Sequence, residues 1–282
     1  MTPTHPNASR STALMLLLMV AVPALAQDWM QWPPRAGSTA IAPVEGRSGS
    51  SKVDLVLERN GDHIDVLVDN PLAGPVQAVV TLDRNGRQEE TAAVVSPGNR
   101  SRLVQLPIGQ AINVQLQAIP GDPALQPRPF DYVLPVPAQG LRIDQADGGA
   151  HSHNDDENRH AVDFALPMGT MVSAARDGIV MDLDNDEPDN TGANSNRRAR
   201  ANFVRVLHVD GSMALYAHLQ RGSIPLHRGD RVAIGQRIGS VGNSGWSTAP
   251  HLHFAVQVNG DRRLQSIPVR ILAPQGVLKL PN

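Results

Sequence analysis

His251 and His253 flank Leu252 in an apolar run that continues through Phe254, Ala255 and Val256. Alternate residues of a strand project from one face, so a strand here aims both imidazoles at one place. A His-x-His pair alone is equally compatible with a surface strand. Two other polar groups set in apolar runs sharpen the pattern. Asp163 lies within Ala161-Val162-Asp163-Phe164-Ala165-Leu166, where a charge needs a metal or a cationic partner such as Arg159 or Arg176. His218 lies within Leu215-Tyr216-Ala217-His218-Leu219, where a ring satisfied by a backbone carbonyl is the plainer alternative. Hydrolytic zinc sites use three protein ligands, commonly His and carboxylate, and keep one position open. Asp163 and two histidines fill such a shell and leave two histidines for proton transfer and for charge on an oxyanion.

Composition narrows the chemistry. The chain has no cysteine, so thiol catalysis, disulfides and Cys-based zinc sites are excluded. Any metal must be held by His and carboxylate. Eight of the ten histidines fall between His151 and His253, a density that even spreading along 282 residues would not produce. The formal net charge is -2, with both signs mixed along the chain, which gives no footprint for a nucleic-acid partner.

The elements that must position these residues are strands. Residues 161–166, 171–175, 178–183, 202–209, 212–219, 231–234, 237–241 and 251–258 read as strands, with Asp210-Gly211 as a hairpin turn. The polar segment 184–200, acidic at its start and basic at its end, reads as a long surface loop. Residues 242–250, rich in Gly and Ser, can bring backbone close to a ligand. Upstream, 53–57, 63–68, 76–80, 102–106 and 112–116 mostly alternate apolar with polar, as in a small antiparallel β-sandwich. The Pro-rich stretch from Pro127 to Pro137 reads as a linker. The expected fold class is all-β: a compact antiparallel β metallopeptidase domain preceded by a small β-sandwich-like domain. The expected division is 1–26 signal peptide, 27–50 linker, 51–136 accessory domain, 137–272 metallopeptidase domain and 273–282 tail.

Four motifs, in order, resemble the lysostaphin/LytM-type zinc metallopeptidase family. They are Ala161-Val162-Asp163-Phe164-Ala165-Leu166-Pro167-Met168-Gly169-Thr170, then Ala174-Ala175-Arg176-Asp177-Gly178-Ile179-Val180, then Tyr216-Ala217-His218-Leu219, and Gly242-Asn243-Ser244-Gly245-x-Ser247-x-x-Pro250-His251-Leu252-His253-Phe254. The resemblance implies an open groove that admits an extended peptide, Asp163 and His253 as zinc ligands, and His218 and His251 as the catalytic histidines. It further implies Zn2+ as cofactor and peptidoglycan peptide stems or crosslinks as the substrate. One position departs from the family pattern: four residues before the aspartate, where the first zinc histidine usually stands, this chain has Arg159. A subset of the family carries a Ser-His further upstream, which Ser152-His153 resembles, so His153 is assigned as the third ligand. His151 and His160 remain the alternatives. His160 lies at an odd offset from Asp163, on the opposite face of a regular strand. His208, His227 and His63 read as local structural histidines.

Three functions are open at this point: an active wall endopeptidase, a non-catalytic regulator of other wall hydrolases, and a secreted bacteriolytic protease. Ala13 to Val22 form an apolar run about half the roughly 20 residues that span a bilayer, and Ala24-Leu25-Ala26 supplies a cleavage pattern. The mature protein is expected in the periplasm or secreted, with no transmembrane segment. Expressed with its leader, it should be recovered with Gln27 as its N-terminal residue by mass spectrometry; an uncleaved chain in the membrane fraction would contradict this.

Overall fold

Every regular element among the described residues is a strand, in keeping with the alternating patterns. The structure, a computed structural model, describes residues 52–84, 86–109, 112–146, 155–191 and 200–280. The expected signal peptide, the 27–50 linker, His151 and His153 lie outside the described residues. All described residues belong to one compact unit, Ile41–Asn282.

The first six strands are β1 (Asp54–Asn60), β2 (His63–Asp69), β3 (Val76–Arg84), β4 (Arg87–Val95), β5 (Arg100–Pro107) and β6 (Asn113–Pro120). They form two three-stranded antiparallel sheets, β1-β2-β5 and β4-β3-β6. Val66, Val68, Ala78, Val80, Leu82, Val95 and Leu106 fill the space between them. Strand β3 is buried along most of its length because it also packs outward. Val76 and Val79 meet Met181, Leu207, Met213 and Leu264 of the second half.

The second half begins inside the stretch expected to be a linker. β7 (Asp131–Val133) pairs parallel with β18 (Arg270–Ala273), which turns into β19 (Gly276–Val277). Tyr132, Leu134 and Val136 are buried in the main core, so these prolines bound a packed strand and not a free tether. The remaining strands are β8 (Arg142–Gln145), β9 (Val162–Ala165), β10 (Met171–Ser173), β11 (Gly178–Asp184), β12 (Asn202–Leu207), β13 (Met213–Leu219), β14 (Arg231–Val232), β15 (Arg237–Ser240), β16 (His251–Asn259) and β17 (Leu264–Ser266). The large sheet runs β14-β11-β12-β13-β16-β9-β8, with β17 beside β16, and β10 pairs with β15 in a second layer. Val162, Phe164, Val204, Val206, Ala214, Tyr216, Leu252, Phe254 and Val256 point from one face of the large sheet into the core. Alternation then places Asp163, His251 and His253 on the other face.

Strand β13 breaks its alternation at one residue. Asn202 pairs with Leu219 and Phe203 with Ala217, so His218 is an extra residue in a bulge. Its φ of 61° is left-handed, a conformation that costs a non-glycine residue about 1–2 kcal/mol. Strict alternation would send His218 into the core after Tyr216 and turn Leu219 outward. The bulge reverses both, and Leu219 is buried in the core.

Gly242 holds a loop against that bulge. Its N–H donates to the His218 carbonyl at 3.1 Å, and it bridges to His251. A Cβ at this position would collide with the backbone of Gln220 and Leu219. Gly242→Ala should therefore lower stability by about 1–3 kcal/mol, the usual cost of overpacking, read from denaturant unfolding. An unchanged midpoint would show that the close approach is not needed.

Candidate active site

Four of the side chains singled out in the sequence meet on the open face of the large sheet. Asp163 stands directly opposite His253 across β9 and β16, and Ala217 stands opposite His253 across β13. Asp163 and His253 are both buried, and Asp163 Oδ1 lies 2.9 Å from His253 Nδ1. The His251 ring is on the same face two residues away, its Nε2 4.0 Å from Asp163 Oδ1. The bulge brings the His218 ring centroid to 4.6 Å from that of His251 and 5.9 Å from that of His253.

The cationic partners considered for Asp163 pair elsewhere. Arg176 forms a buried ion pair with Asp210 at 3.0 Å, and Arg159 reaches Asp156 at 3.8 Å on the surface. Asp163 accepts a hydrogen bond from Gln145 Nε2 at 3.1 Å.

Each ring is oriented by its hydrogen-bond partners. His218 Nδ1 donates to the Ser244 carbonyl at 2.8 Å and His251 Nδ1 to the Ala249 carbonyl at 2.9 Å. Carbonyls only accept, so both rings carry their proton on Nδ1 and keep Nε2 as an acceptor when neutral. Burial, reinforced by the neighbouring His251 and His253, pushes the His218 pKa down to about 3. At neutral pH His218 is uncharged. On His253 both nitrogens are engaged: Nδ1 lies 2.9 Å from Asp163 Oδ1 and Nε2 3.0 Å from Asn158 Oδ1.

Two of these partners sit in a tightly bonded loop. Ser244 Oγ donates to the Leu219 carbonyl at 2.8 Å and accepts the Asn202 N–H at 3.0 Å. Ser247 Oγ contacts His251 Nδ1 at 3.1 Å and Asn243 Oδ1 at 2.8 Å. Residues of the segment expected to be surface loop brace the same turn. Asp189 accepts N–H groups from Asn243 at 2.7 Å and Arg221 at 3.1 Å, and Asn190 Nδ2 donates to the Gly245 and Ser247 carbonyls. The acidic start and basic end of that segment meet, with Arg200 pairing to Asp184 at 2.6 Å. Sequence reasoning did not single out Asn158, Asp189, Asn190 or Asn202. Asp155 followed three residues later by Asn158 is a local turn signature, which marks the turn but not the reach of Asn158 to His253.

The donor set suits a zinc ion. Donors on a tetrahedral zinc with bonds of about 2.0–2.1 Å stand roughly 3.3 Å apart, a little more than the 2.9 Å hydrogen-bond distance between Asp163 Oδ1 and His253 Nδ1. His253 Nδ1 and Asp163 Oδ1 stand at hydrogen-bond distance, and when Asn158 holds the ring proton on Nε2 both present lone pairs. Two acceptors in that relation need a cation or a proton between them. Among the described residues, no group of three or more His, Asp or Glu side chains converges as a full ligand set. The third assigned ligand, His153, and its alternative His151 lie outside the described residues. His160 precedes β9 in a turn, its N–H donating to Ser266 Oγ at 3.1 Å. The face rule for a regular strand therefore does not govern it. Of the other histidines, His208 is buried with Nδ1 bonded to the Asp177 carbonyl at 2.8 Å. Burial and Arg176 push its pKa down to about 4. The His227 N–H donates to Asp230 in a surface turn.

Residues 157–264 match Peptidase family M23. The chain is 36% identical over 101 residues to the peptidoglycan DD-endopeptidase ShyA of Vibrio cholerae, covering 36% of this chain and 20% of that protein. It is 34% identical over 99 residues to the DD-carboxypeptidase/endopeptidase Mpg of Neisseria meningitidis, covering 35% of this chain and 20% of that protein. The matches thus span about a fifth of the length of these relatives. Among solved structures, the catalytic domain of the antimicrobial peptidase lysostaphin from Staphylococcus simulans aligns with 28% identity and a TM-score of 0.30, covering 49% of this chain and 85% of that one. The segment that matches the family is also the one that brings Asp163, His218, His251 and His253 together: the chain carries a peptidase family M23 domain.

Proposed function

We propose that this protein is a zinc-dependent endopeptidase that hydrolyses peptide bonds in bacterial peptidoglycan, at peptide stems or crosslinks, outside the cytoplasm during cell-wall remodelling. The observation that carries this reading is the buried Asp163–His253 pair, with two further imidazoles beside it whose Nδ1 protons are tied to backbone carbonyls. The names of the relatives, a peptidoglycan DD-endopeptidase and a DD-carboxypeptidase/endopeptidase, support the substrate class.

Asp163 and His253 would hold the metal, with His153 as third ligand. Bound zinc supplies Lewis acidity toward a carbonyl and a nucleophile at neutral pH. Among the chain's own groups, His218 is held neutral and presents Nε2 as the acceptor for the proton released by the nucleophile. His251, with Nδ1 tied to the Ala249 carbonyl, turns Nε2 toward the same place, 4.0 Å from Asp163 Oδ1. A donor there to the developing oxyanion would be worth about 3 kcal/mol, the cost where a single such donor has been removed. The Ala249 and Ser244 carbonyls fix the plane of each ring, so neither must reorganise as charge moves.

Mass spectrometry of the muropeptides released from purified wall by the zinc-loaded protein tests the activity and identifies the bond. Cleaved peptides that disappear on chelation are expected; intact wall with zinc bound would favour the regulator. The division of roles makes a second prediction. His218→Ala and His251→Ala should each keep nearly stoichiometric zinc and lose hydrolysis, whereas Asp163→Ala and His253→Ala should lose the metal. Loss of zinc from the first pair would overturn the assignment. His153→Ala should lower zinc affinity by orders of magnitude, because two protein ligands rarely hold a catalytic zinc, while His160→Tyr should be tolerated. Full zinc retention in His153→Ala would return the third ligand to His151 or His160.

A further inference from the structure

Asn158 makes one hydrogen bond to the site and several to a single carboxylate behind it. Its Nδ2 lies 2.9 Å and 3.1 Å from the two carboxylate oxygens of Asp155, and its backbone N–H donates to Asp155 Oδ1 at 2.9 Å. A carboxylate can only accept, so the amide nitrogen must face Asp155 and the amide oxygen is left for His253 Nε2 at 3.0 Å. The order is carboxylate, amide, imidazole, and each member fixes the next. Asp155 is thereby two bonds removed from His253, while Asp163 faces the far side of the same ring at Nδ1.

We propose that Asn158 is the positioning residue for metal capture: backed by Asp155, it accepts from His253 Nε2–H and so fixes the ring with Nδ1 turned toward Asp163. The proposal rests on the reading that Asp163 and His253 hold zinc. A ligating imidazole donates its other N–H to an acceptor that sets tautomer and ring angle and raises the basicity of the ligating nitrogen, and loss of such a partner costs about 10–100-fold in metal affinity. In this chain a neutral amide takes that place, and the charge is set one residue further back. The polarity of the pair is therefore reversible. An Asn at 155 and an Asp at 158 keep a donor facing an acceptor between them and present a stronger acceptor to His253.

The test is zinc affinity of the mature full-length chain, measured by competition with a chromophoric chelator, beside denaturant unfolding of the metal-free protein. Asn158→Ala should bind zinc about 10–100-fold more weakly, with metal-free unfolding close to wild type. Asn158→Asp alone sets two carboxylates against each other and should also bind weakly. The exchange Asp155→Asn with Asn158→Asp should restore affinity to the wild-type level or above, and it stays informative if Asn158→Ala does not fold. Wild-type affinity in a folded Asn158→Ala variant would overturn the proposal, as would an exchange variant as weak as Asn158→Asp. A role confined to holding the turn predicts that metal-free unfolding moves and zinc affinity does not. If Asp163→Ala and His253→Ala bind zinc as wild type does, the underlying reading falls, and this proposal with it; if those two lose zinc and Asn158→Ala does not, only the proposal falls.

Discussion

Asp163 and His253 lie opposite each other in the β9–β16 ladder, and Ala217 lies opposite His253 in the β13–β16 ladder. Side chains paired across neighbouring strands stand about 4.5–5.5 Å apart at Cβ on one face. That spacing suits donors that share one ion. A shift of a single residue in either register would turn Asp163 or His253 into the core and bring Phe164 or Leu252 onto the open face. The apolar face of the same strands guards against the slip. Phe164, Leu252, Phe254 and Tyr216 are all fully buried, and Tyr216 adds a hydrogen bond from the Ala175 N–H at 2.8 Å. Core packing and site geometry are therefore two readings of one register.

The bulge at His218 is where the two faces are made to differ. It places a third imidazole on the open side without giving up Leu219 as a core residue, at the cost of left-handed backbone in a residue with a Cβ. The strain is held by bonds on both sides of it. The His218 carbonyl accepts from Gly242, the ring donates to the Ser244 carbonyl, and Leu219 O accepts from Ser244 Oγ and Asn202 Nδ2. Backbone strain of this kind persists only where surrounding structure over-determines it. Here Asn202, Asn243, Ser244 and Asp189 supply that structure, and they tie the polar segment after β11 to the turn before β16.

The strands that carry the site were legible because their apolar residues alternate with polar ones, and the convergence of Asp163, His251 and His253 follows from that alternation. His218 was legible as a polar ring in an apolar strand, but its side was not, since a one-residue bulge leaves no periodic trace. Strand β4 escaped notice because Arg87, Gln88, Glu89 and Glu90 are exposed on an edge, where no face needs apolar residues. Strands β7, β17 and β18 are three or four residues long and exist through their partners more than through their own pattern. The prolines between 127 and 137 suggested a tether, whereas the backbone between them runs beside β18 and buries Tyr132. Asn158 and Asn190 were hidden for another reason. Each acts through an amide that bonds to distant residues, and nothing local distinguishes such an asparagine from one in a solvated turn.

Two consequences follow for the chemistry. The imidazoles of His218 and His251 are fixed through Nδ1 by main-chain carbonyls, so their remaining nitrogens are placed by the fold itself. The Asp163–His253 pair is held from outside by Gln145 and Asn158, so that Asp163 Oδ1 and His253 Nδ1 are turned toward each other. The most direct test is anomalous diffraction at the zinc edge from crystals of the zinc-loaded protein. The account predicts one strong peak within about 2.0–2.2 Å of both His253 Nδ1 and an Asp163 oxygen. A peak elsewhere on the molecule, or none between these two side chains, would contradict it.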